Sequence, residues 1–254
     1  MHIFDQIVAW LGPVLQLCIV AIMWSKRLYR LFPLFAAYTI YSIVAIVLRY
    51  ILFVANSRLF ADVYWVTEAL YIILGLAATY EAFREAFRPF YSIWWFRLLM
   101  YLVILVPLGI SVVAILRTPS TDVDRTGAAI LLVQIGTRYV QGGMFALAFA
   151  MIRFFRLPVS RYASGIIDGF GVNALGILAA SILRSAFGTN YNTFFRFAPV
   201  VGYIIALLIW LTSLAGDEDE NGDGWEPNVP LELLPGNLRQ QIDSIRKMRK
   251  QKRK

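Results

Sequence analysis

Length, composition and charge exclude a water-soluble domain. The chain has 254 residues, of which 59% are apolar and only 16% are charged, with a formal net charge of +8 at pH 7. Soluble domains are about 45–50% apolar and about 25% charged, so these values indicate a membrane protein. The single cysteine, Cys18, and the single histidine, His2, leave no material for disulfides, thiolate or imidazole metal sites, or a Ser/His pair. We therefore expect no metal and no cofactor.

Apolar runs predict seven membrane-spanning helices in succession. Each run approaches the roughly 20 residues that cross about 30 Å of hydrocarbon. Pro33 and Pro199 are expected in first helical turns, where a missing N–H costs nothing, whereas Pro13 and Pro107 are expected to kink their helices. The predicted spans are residues 7–24, 32–54, 63–81, 98–116, 127–152, 163–183 and 197–215. The fold class is thus an all-α, polytopic transmembrane bundle over residues 1–215.

The distribution of Lys and Arg predicts an outside N-terminus and a cytoplasmic C-terminus, because basic residues in short loops stay on the cytoplasmic side. One set of alternate loops carries Lys26, Arg27, Arg30, Arg84, Arg88, Arg97, Arg153, Arg156 and Arg161. The opposite set carries only Arg58, Arg117, Arg125, Arg184 and Arg196. The positive net charge is therefore a topology signal, and we expect the lipid bilayer, and no nucleic acid, as a partner.

Four ionisable residues lie inside the predicted spans, where a charge is costly and marks an interior position: Arg49, Glu68, Arg138 and Asp168. At about 1.5 Å per residue, Arg49 and Glu68 lie about 7 and 9 Å from the outer ends of adjacent spans. Helical side chains lean toward their own N-terminus, which brings these two charged groups together. The sequence predicts an ion pair between Arg49 and Glu68.

Arg138 lies on a polar stripe of the fifth span, and this stripe is the main candidate for a pocket. Gln134, Gln141 and Gly142 share its helix face at three-residue and four-residue spacings. A small molecule bound there would also meet the buried ion pair. The candidate ligand-binding residues are therefore Arg138, Gln134, Gln141, Glu68 and Arg49.

The partner of Arg138 is left open by the sequence. Asp168 is adjacent along the chain, but the two side chains lean apart and start at different depths. Glu68 could instead serve both arginines, leaving Asp168 protonated or facing Arg84 or Arg161. All four buried charges could also be interhelical clamps without a ligand.

The sixth span is expected to pack closely against a neighbouring helix. Gly165 and Gly169 are four residues apart, which allows two backbones to approach, and Asn173 follows one turn later. We expect Asn173 to make an interhelical hydrogen bond.

Residues 216–254 are expected to form a cytoplasmic tail. The acidic linker matches the residue pattern of the first half of a calcium-binding loop. Its twelfth position is Asn228 instead of a bidentate Glu, so calcium is not expected. From Asn237 onward, Leu238, Ile242 and Ile245 recur at helical spacing among many Lys and Arg residues. This pattern predicts a basic amphipathic helix on anionic lipid head groups, each basic residue contributing about 1 kcal/mol.

A basic loop precedes an aromatic segment in the second span, and acidic residues mark the third. These residues are Phe32, Pro33, Phe35, Tyr38, Glu68, Tyr80 and Glu81. In these features the chain resembles uncharacterised seven-helix integral membrane proteins of bacteria. The resemblance implies a multi-pass protein of the bacterial cytoplasmic (inner) membrane and implies no activity. Microbial rhodopsins are excluded, because no lysine for retinal lies between Lys26 and Lys247.

Three functions are compatible with such a bundle, and a receptor-like, sensory role is placed first. In it, a small ligand binds in an outward-facing pocket around Arg138, Gln134 and Glu68, and the resulting helix movement is transmitted to cytoplasmic partners. In a small-solute or anion transporter, Glu68 or Asp168 takes up a proton while Arg138 neutralises the substrate. In a membrane scaffold or assembly subunit, the buried charges are structural and the tail recruits a partner. An enzyme is not expected, since the spans hold no His and a single Asp.

Overall fold

The predicted all-α bundle is confirmed by a computed structural model of the chain. It describes residues 3–55, 59–88, 90, 94–117, 125–155, 159–187 and 192–216, and no strand occurs among them. The α-helices are α1 (Ile3–Ser25), α2 (Pro33–Val54), α3 (Phe60–Ala86), α4 (Trp94–Arg117), α5 (Arg125–Phe155), α6 (Arg161–Phe187) and α7 (Asn192–Ala215). A short 3-10 helix (Leu28–Arg30) joins α1 to α2. Apart from Gly216, the predicted tail lies outside the described residues.

Most helices extend beyond the apolar runs from which they were predicted. Backbone hydrogen bonding continues into polar residues where a helix leaves the hydrocarbon, so hydropathy alone underestimates its length. Pro33 occupies the first turn of α2 as predicted. The same prediction was wrong for Pro199, because α7 begins at Asn192 and Pro199 therefore lies inside the helix.

Five helices are long and apolar enough to cross a membrane within the described part of the chain. They are Pro33–Val54, Phe60–Ala86, Phe96–Val113, Arg161–Ser181 and Ala198–Ala215. Helix α1 contributes a shorter apolar segment, Trp10–Ser25. Helix α5 falls short because Gln134, Arg138 and Gln141 interrupt its apolar sequence, yet it packs against α3, α4 and α6. The chain is therefore a polytopic membrane bundle, and its orientation stays a prediction from the basic loops.

The most extensive helix packing is between α6 and α7, and it includes the predicted glycines. A Cβ atom placed on Gly165 would lie 2.2 Å from the Ser213 side chain, and one on Gly169 would lie 2.1 Å from Trp210 Nε1. Trp210 in turn donates a hydrogen bond from Nε1 to the Ile166 carbonyl at 3.1 Å. The predicted close approach at Gly165 and Gly169 is confirmed.

An aromatic cluster fills the half of the bundle nearest the start of α2. We define it by Phe35, Tyr38, Phe170 and Trp210, whose relative exposure is 0% in every case. The rings of Phe170 and Trp210 have centroids 4.8 Å apart, and those of Phe35 and Trp210 have centroids 5.2 Å apart. Edge-to-face contacts of this kind bring α2, α6 and α7 into a fixed arrangement.

Two helix ends are capped by side chains from elsewhere in the chain. The Glu81 carboxylate of α3 accepts hydrogen bonds from the backbone N–H groups of Leu34 and Phe35, at 3.0 to 3.1 Å, in the first turn of α2. At the end of α7, Lys26 donates to the Ala215 carbonyl at 2.7 Å, and Arg161 donates to the Thr212 carbonyl at 3.1 Å. A carboxylate at a helix start and cations at a helix end complement the exposed backbone groups and the helix dipole.

Candidate functional site

A cavity of about 250 Å³ lies inside the half of the bundle that contains the end of α2 and the start of α3. This is the half predicted to face outward. Helices α2, α3, α5, α6 and α7 all contribute to the wall of the cavity. Its lining residues are Ser42, Ala45, Ile46, Arg49, Glu68, Tyr71, Arg138, Asn173, Ile177, Pro199 and Tyr203. Three of the four intramembrane charges therefore meet at one space.

The predicted ion pair between Arg49 and Glu68 is confirmed. Arg49 Nη2 lies 3.0 Å from Glu68 Oε2, with side-chain exposures of 23% and 11%. The other carboxylate oxygen, Oε1, accepts a hydrogen bond from Gln134 Nε2 at 3.1 Å. Both oxygens of Glu68 are thus engaged within the protein, which offsets the cost of placing this charge at membrane depth.

Arg49 is held on several sides by residues of α3. Its Nε donates to Thr67 Oγ1 at 2.8 Å, and its guanidinium carbon lies 4.6 Å from the centroid of the Tyr64 ring. The Thr67 hydroxyl in turn donates a hydrogen bond to the Tyr64 carbonyl at 2.9 Å. A cation over an aromatic face adds attraction to the ion pair. The arrangement ties the end of α2 to the start of α3 at the rim of the cavity.

Arg138 differs from Arg49 because it has no carboxylate partner among the described residues. It is only 7% exposed, and its Nη1 donates to Gln141 Oε1 at 3.0 Å. Its Nε is buried without a hydrogen-bond partner. A buried cation with an unused donor is costly unless something neutralises it. Arg138 can therefore receive an anion from the cavity that it lines.

The two glutamines of the predicted stripe lie around a second, much smaller cavity. This space of about 10 Å³ is bordered by Gln134, Arg138 and Gln141, together with Tyr38 and Tyr71. It has room for about one water molecule. Arg138 lines both cavities, so it lies between the large cavity and the aromatic cluster. Gln134 and Gln141 line only the small one in the described structure.

Gln141 continues the polar contacts from Arg138 to α3. Its Nε2 donates to Thr79 Oγ1 at 3.2 Å, and Thr79 donates to the Gly75 carbonyl at 2.7 Å. The fourth residue of the stripe, Gly142, faces α6 instead, where a Cβ would lie 3.8 Å from Leu175. Gln141 thus supports Arg138. The residues of the predicted stripe do not share one neighbour, since Gln141 contacts α3 and Gly142 faces α6.

Polar residues in the cavity wall and in contact with it were not singled out as site residues from the sequence. Asn173 is 2% exposed, and its Oδ1 has no hydrogen-bond partner, so the expectation that it bonds another helix was wrong. Its side chain borders the cavity because the tight contact of α6 with α7 fixes the rotation of α6. Gln16 of α1 donates to Ser42 at 2.7 Å and to the hydroxyl of Tyr203. A lone amide in an apolar span was the available sequence signal.

Asp168 lies apart from the site. It is half-buried on α6, lines neither cavity, and makes no ion pair with Arg138. The alternative partners Arg84 and Arg161 do not pair with it in the described chain either, and Arg161 instead donates to the Thr212 carbonyl of α7. The opposite lean of side chains on α5 and α6 accounts for the separation from Arg138. No group of three or more His, Cys, Asp or Glu residues that could hold a metal occurs among the described residues.

Comparisons with known proteins yield a partial similarity to a transporter. No family model matches the chain, and no solved structure matches it at a significant level. The chain is 32% identical over 135 residues to a protein of Macrophomina phaseolina (strain MS6) whose name assigns it provisionally to the amino acid/polyamine transporters. The match takes in 46% of this chain and 29% of that relative. Fold and site together define a multi-pass, all-α membrane protein with a charged cavity inside its bundle.

Proposed function

We propose that this protein is a receptor-like bundle that binds a small anionic solute in the cavity of about 250 Å³. The observation that carries the proposal is Arg138, which is buried, lines the cavity and has an Nε without a partner. An unpaired charge inside a membrane bundle is costly and typically marks a functional position. The anion of the ligand would complete the coordination of Arg138.

The dimensions of the cavity support a small ligand. Sites for drug-sized molecules occupy about 300–1,000 Å³, so this cavity suits a metabolite with few heavy atoms. The ion pair between Arg49 and Glu68 leaves Arg138 as the one uncompensated charge in the described part of the wall. The site should therefore bind an anion more tightly than a cation of equal size.

Ligand-dependent stability tests the proposal directly. The purified protein in chloride-free detergent solution is heated with increasing concentrations of small carboxylates, and a saturable rise in Tm is expected. In Arg138→Gln the rise should be lost. Arg153→Gln is the matched control, since it removes an exposed arginine from the same helix. Equal stabilisation of Arg138→Gln and the unaltered protein would contradict the assignment of this site.

A transporter is the second candidate, and the partial similarity to the Macrophomina protein favours it. Transport predicts counterflow of the same carboxylates in proteoliposomes, whereas a receptor predicts stabilisation without flux. Glu68→Gln should abolish counterflow if Glu68 takes up a proton during the cycle. The scaffold alternative would be supported if no small ligand stabilised the protein and if truncation after Gly216 had the same effect on cells as deletion of the whole protein.

We also propose a location and a lipid partner. The resemblance to bacterial seven-helix proteins and the basic loops support a multi-pass protein of the bacterial cytoplasmic membrane. The Lys/Arg-rich end of the tail supports contact with anionic head groups on the cytoplasmic side. A fusion of a reporter to the C-terminus that is active only in the cytoplasm tests the orientation, and activity of a periplasmic reporter there would reverse it.

A further inference from the structure

Two residues that line the cavity each carry a buried polar atom without a hydrogen-bond partner, and the two atoms differ in kind. Arg138 Nε is a donor that carries positive charge, and Asn173 Oδ1 is a neutral acceptor; both residues are more than nine-tenths buried. They are presented by different helices, α5 and α6, that pack against each other. A ligand that satisfies only one of them leaves the other without a hydrogen bond, and a buried unsatisfied group is costly.

The charges around the cavity select the charge of the ligand. Arg49 and Glu68 neutralise each other, and Asp168 does not line the wall. Arg138 therefore leaves one positive charge uncompensated among the described lining residues. A ligand with a net charge of −1 balances the site, whereas a diamine would add positive charge to a positive wall.

The acceptor on Asn173 adds a second requirement. Its carbonyl oxygen needs an N–H or O–H group, which a simple alkyl carboxylate cannot supply. From these two atoms we infer that the ligand is a small carboxylate of net charge −1 that also carries a hydroxyl donor. The carboxylate binds Arg138, and the donor binds Asn173. This inference rests on the proposed binding function and deepens it.

The test compares acids that differ by one hydroxyl group. Propanoate is compared with 2-hydroxypropanoate, and pentanoate with 2-hydroxypentanoate, by titration of Tm for the purified protein; 1,4-diaminobutane is included as a cationic probe. For at least one chain length, we expect the hydroxy acid to bind about 10-fold or more tightly than its deoxy partner. In Asn173→Leu that preference should fall to about 1. Ser181→Ala, an exposed substitution on the same helix, should preserve it.

The outcomes separate this inference from the proposal beneath it. Equal binding of hydroxy and deoxy acids to the unaltered protein would overturn the role of Asn173 while leaving anion binding at Arg138 intact. Tighter binding of the diamine than of any acid would overturn the inferred charge. Absence of binding by every carboxylate would remove the proposed function itself, and the inference with it. The comparison of ligands on the unaltered protein stands even where Asn173→Leu fails to fold.

Discussion

The two halves of the bundle differ in how the buried polar groups at their centres are satisfied. Around the aromatic cluster, the polar atoms of Trp210 and Glu81 are bonded to backbone groups of neighbouring helices. Around the large cavity, Arg138 and Asn173 each keep a buried atom without a partner. A buried hydroxyl without a partner, that of Ser160, also occurs just before α6 in the other half. Native interiors satisfy almost all buried polar groups, so two such atoms on residues that line one cavity are informative.

The difference teaches which half holds the fold and which half is free to bind. Lipid tails are as apolar as the helices, so apolar burial alone does not bring membrane helices together. Glycine contacts, ring contacts and caps therefore have to fix their positions, and those of Gly165, Gly169 and Trp210 lie at the aromatic cluster. The stability that they supply allows the other half to retain a cavity and an uncompensated charge. Substitutions in the two halves should have effects of different size and sign.

The largest effect is expected for Gly169→Ala, in the tightly packed half. The new Cβ would lie 2.1 Å from Trp210 Nε1, so the side chain of a fully buried tryptophan would have to move. We expect a loss of about 3 kcal/mol in the free energy of unfolding, measured by equilibrium unfolding in mixed micelles. Gly109→Ala is the matched control, because a Cβ there meets nothing within 4 Å. A loss of unfolding free energy no larger than that of the control would show that α6 can move away from α7 at Gly169 without cost.

The contact between Gly169 and Trp210 also shows where prediction from the sequence reaches its limit. The helices followed from long apolar runs, and the pair of Arg49 with Glu68 followed from matched depths on two helices joined by a short connection. The position of Asn173 on the cavity wall did not follow, because it depends on the rotation of α6 about its axis. That rotation is fixed by how Gly165 and Gly169 meet Ser213 and Trp210, and such complementary shapes leave no periodic pattern in the sequence.

Chain adjacency also misled the prediction of partners. Asp168 was considered for Arg138 because their helices are consecutive, yet the two side chains lean in opposite directions along antiparallel helices. The cap that Glu81 forms on α2 could not be predicted, because Glu81 is separated from Phe35 by 46 positions and from Leu34 by 47 positions in the sequence. Distant contacts of this kind require the three-dimensional arrangement of the helices.

An intermediate effect is expected for Glu68→Gln, at the boundary of the cavity. The amide cannot neutralise Arg49, but Arg49 is 23% exposed and retains its contacts with Thr67 and Tyr64. A loss of about 1.5 kcal/mol is expected, well below the cost of breaking a fully buried pair. The loss should shrink in the double variant with Arg49→Gln, which removes both charges. Asp62→Asn, an exposed change on the same helix, is the control, and a loss equal to the control would mean that the pair contributes nothing.

The smallest effect, and the only one of opposite sign, is expected for Arg138→Met in the absence of ligand. Methionine removes the uncompensated buried charge and fills part of the space with an apolar side chain. Gln141 loses a donor but keeps its bond to Thr79 at 3.2 Å. The net result should be a gain of about 0.5 kcal/mol in the free energy of unfolding, together with loss of stabilisation by carboxylates. Unfolding in chloride-free detergent measures both quantities. If Arg138→Met destabilised the protein by as much as Gly169→Ala, Arg138 would belong to the structural half, and the division of the bundle into a packed half and a binding half would fail.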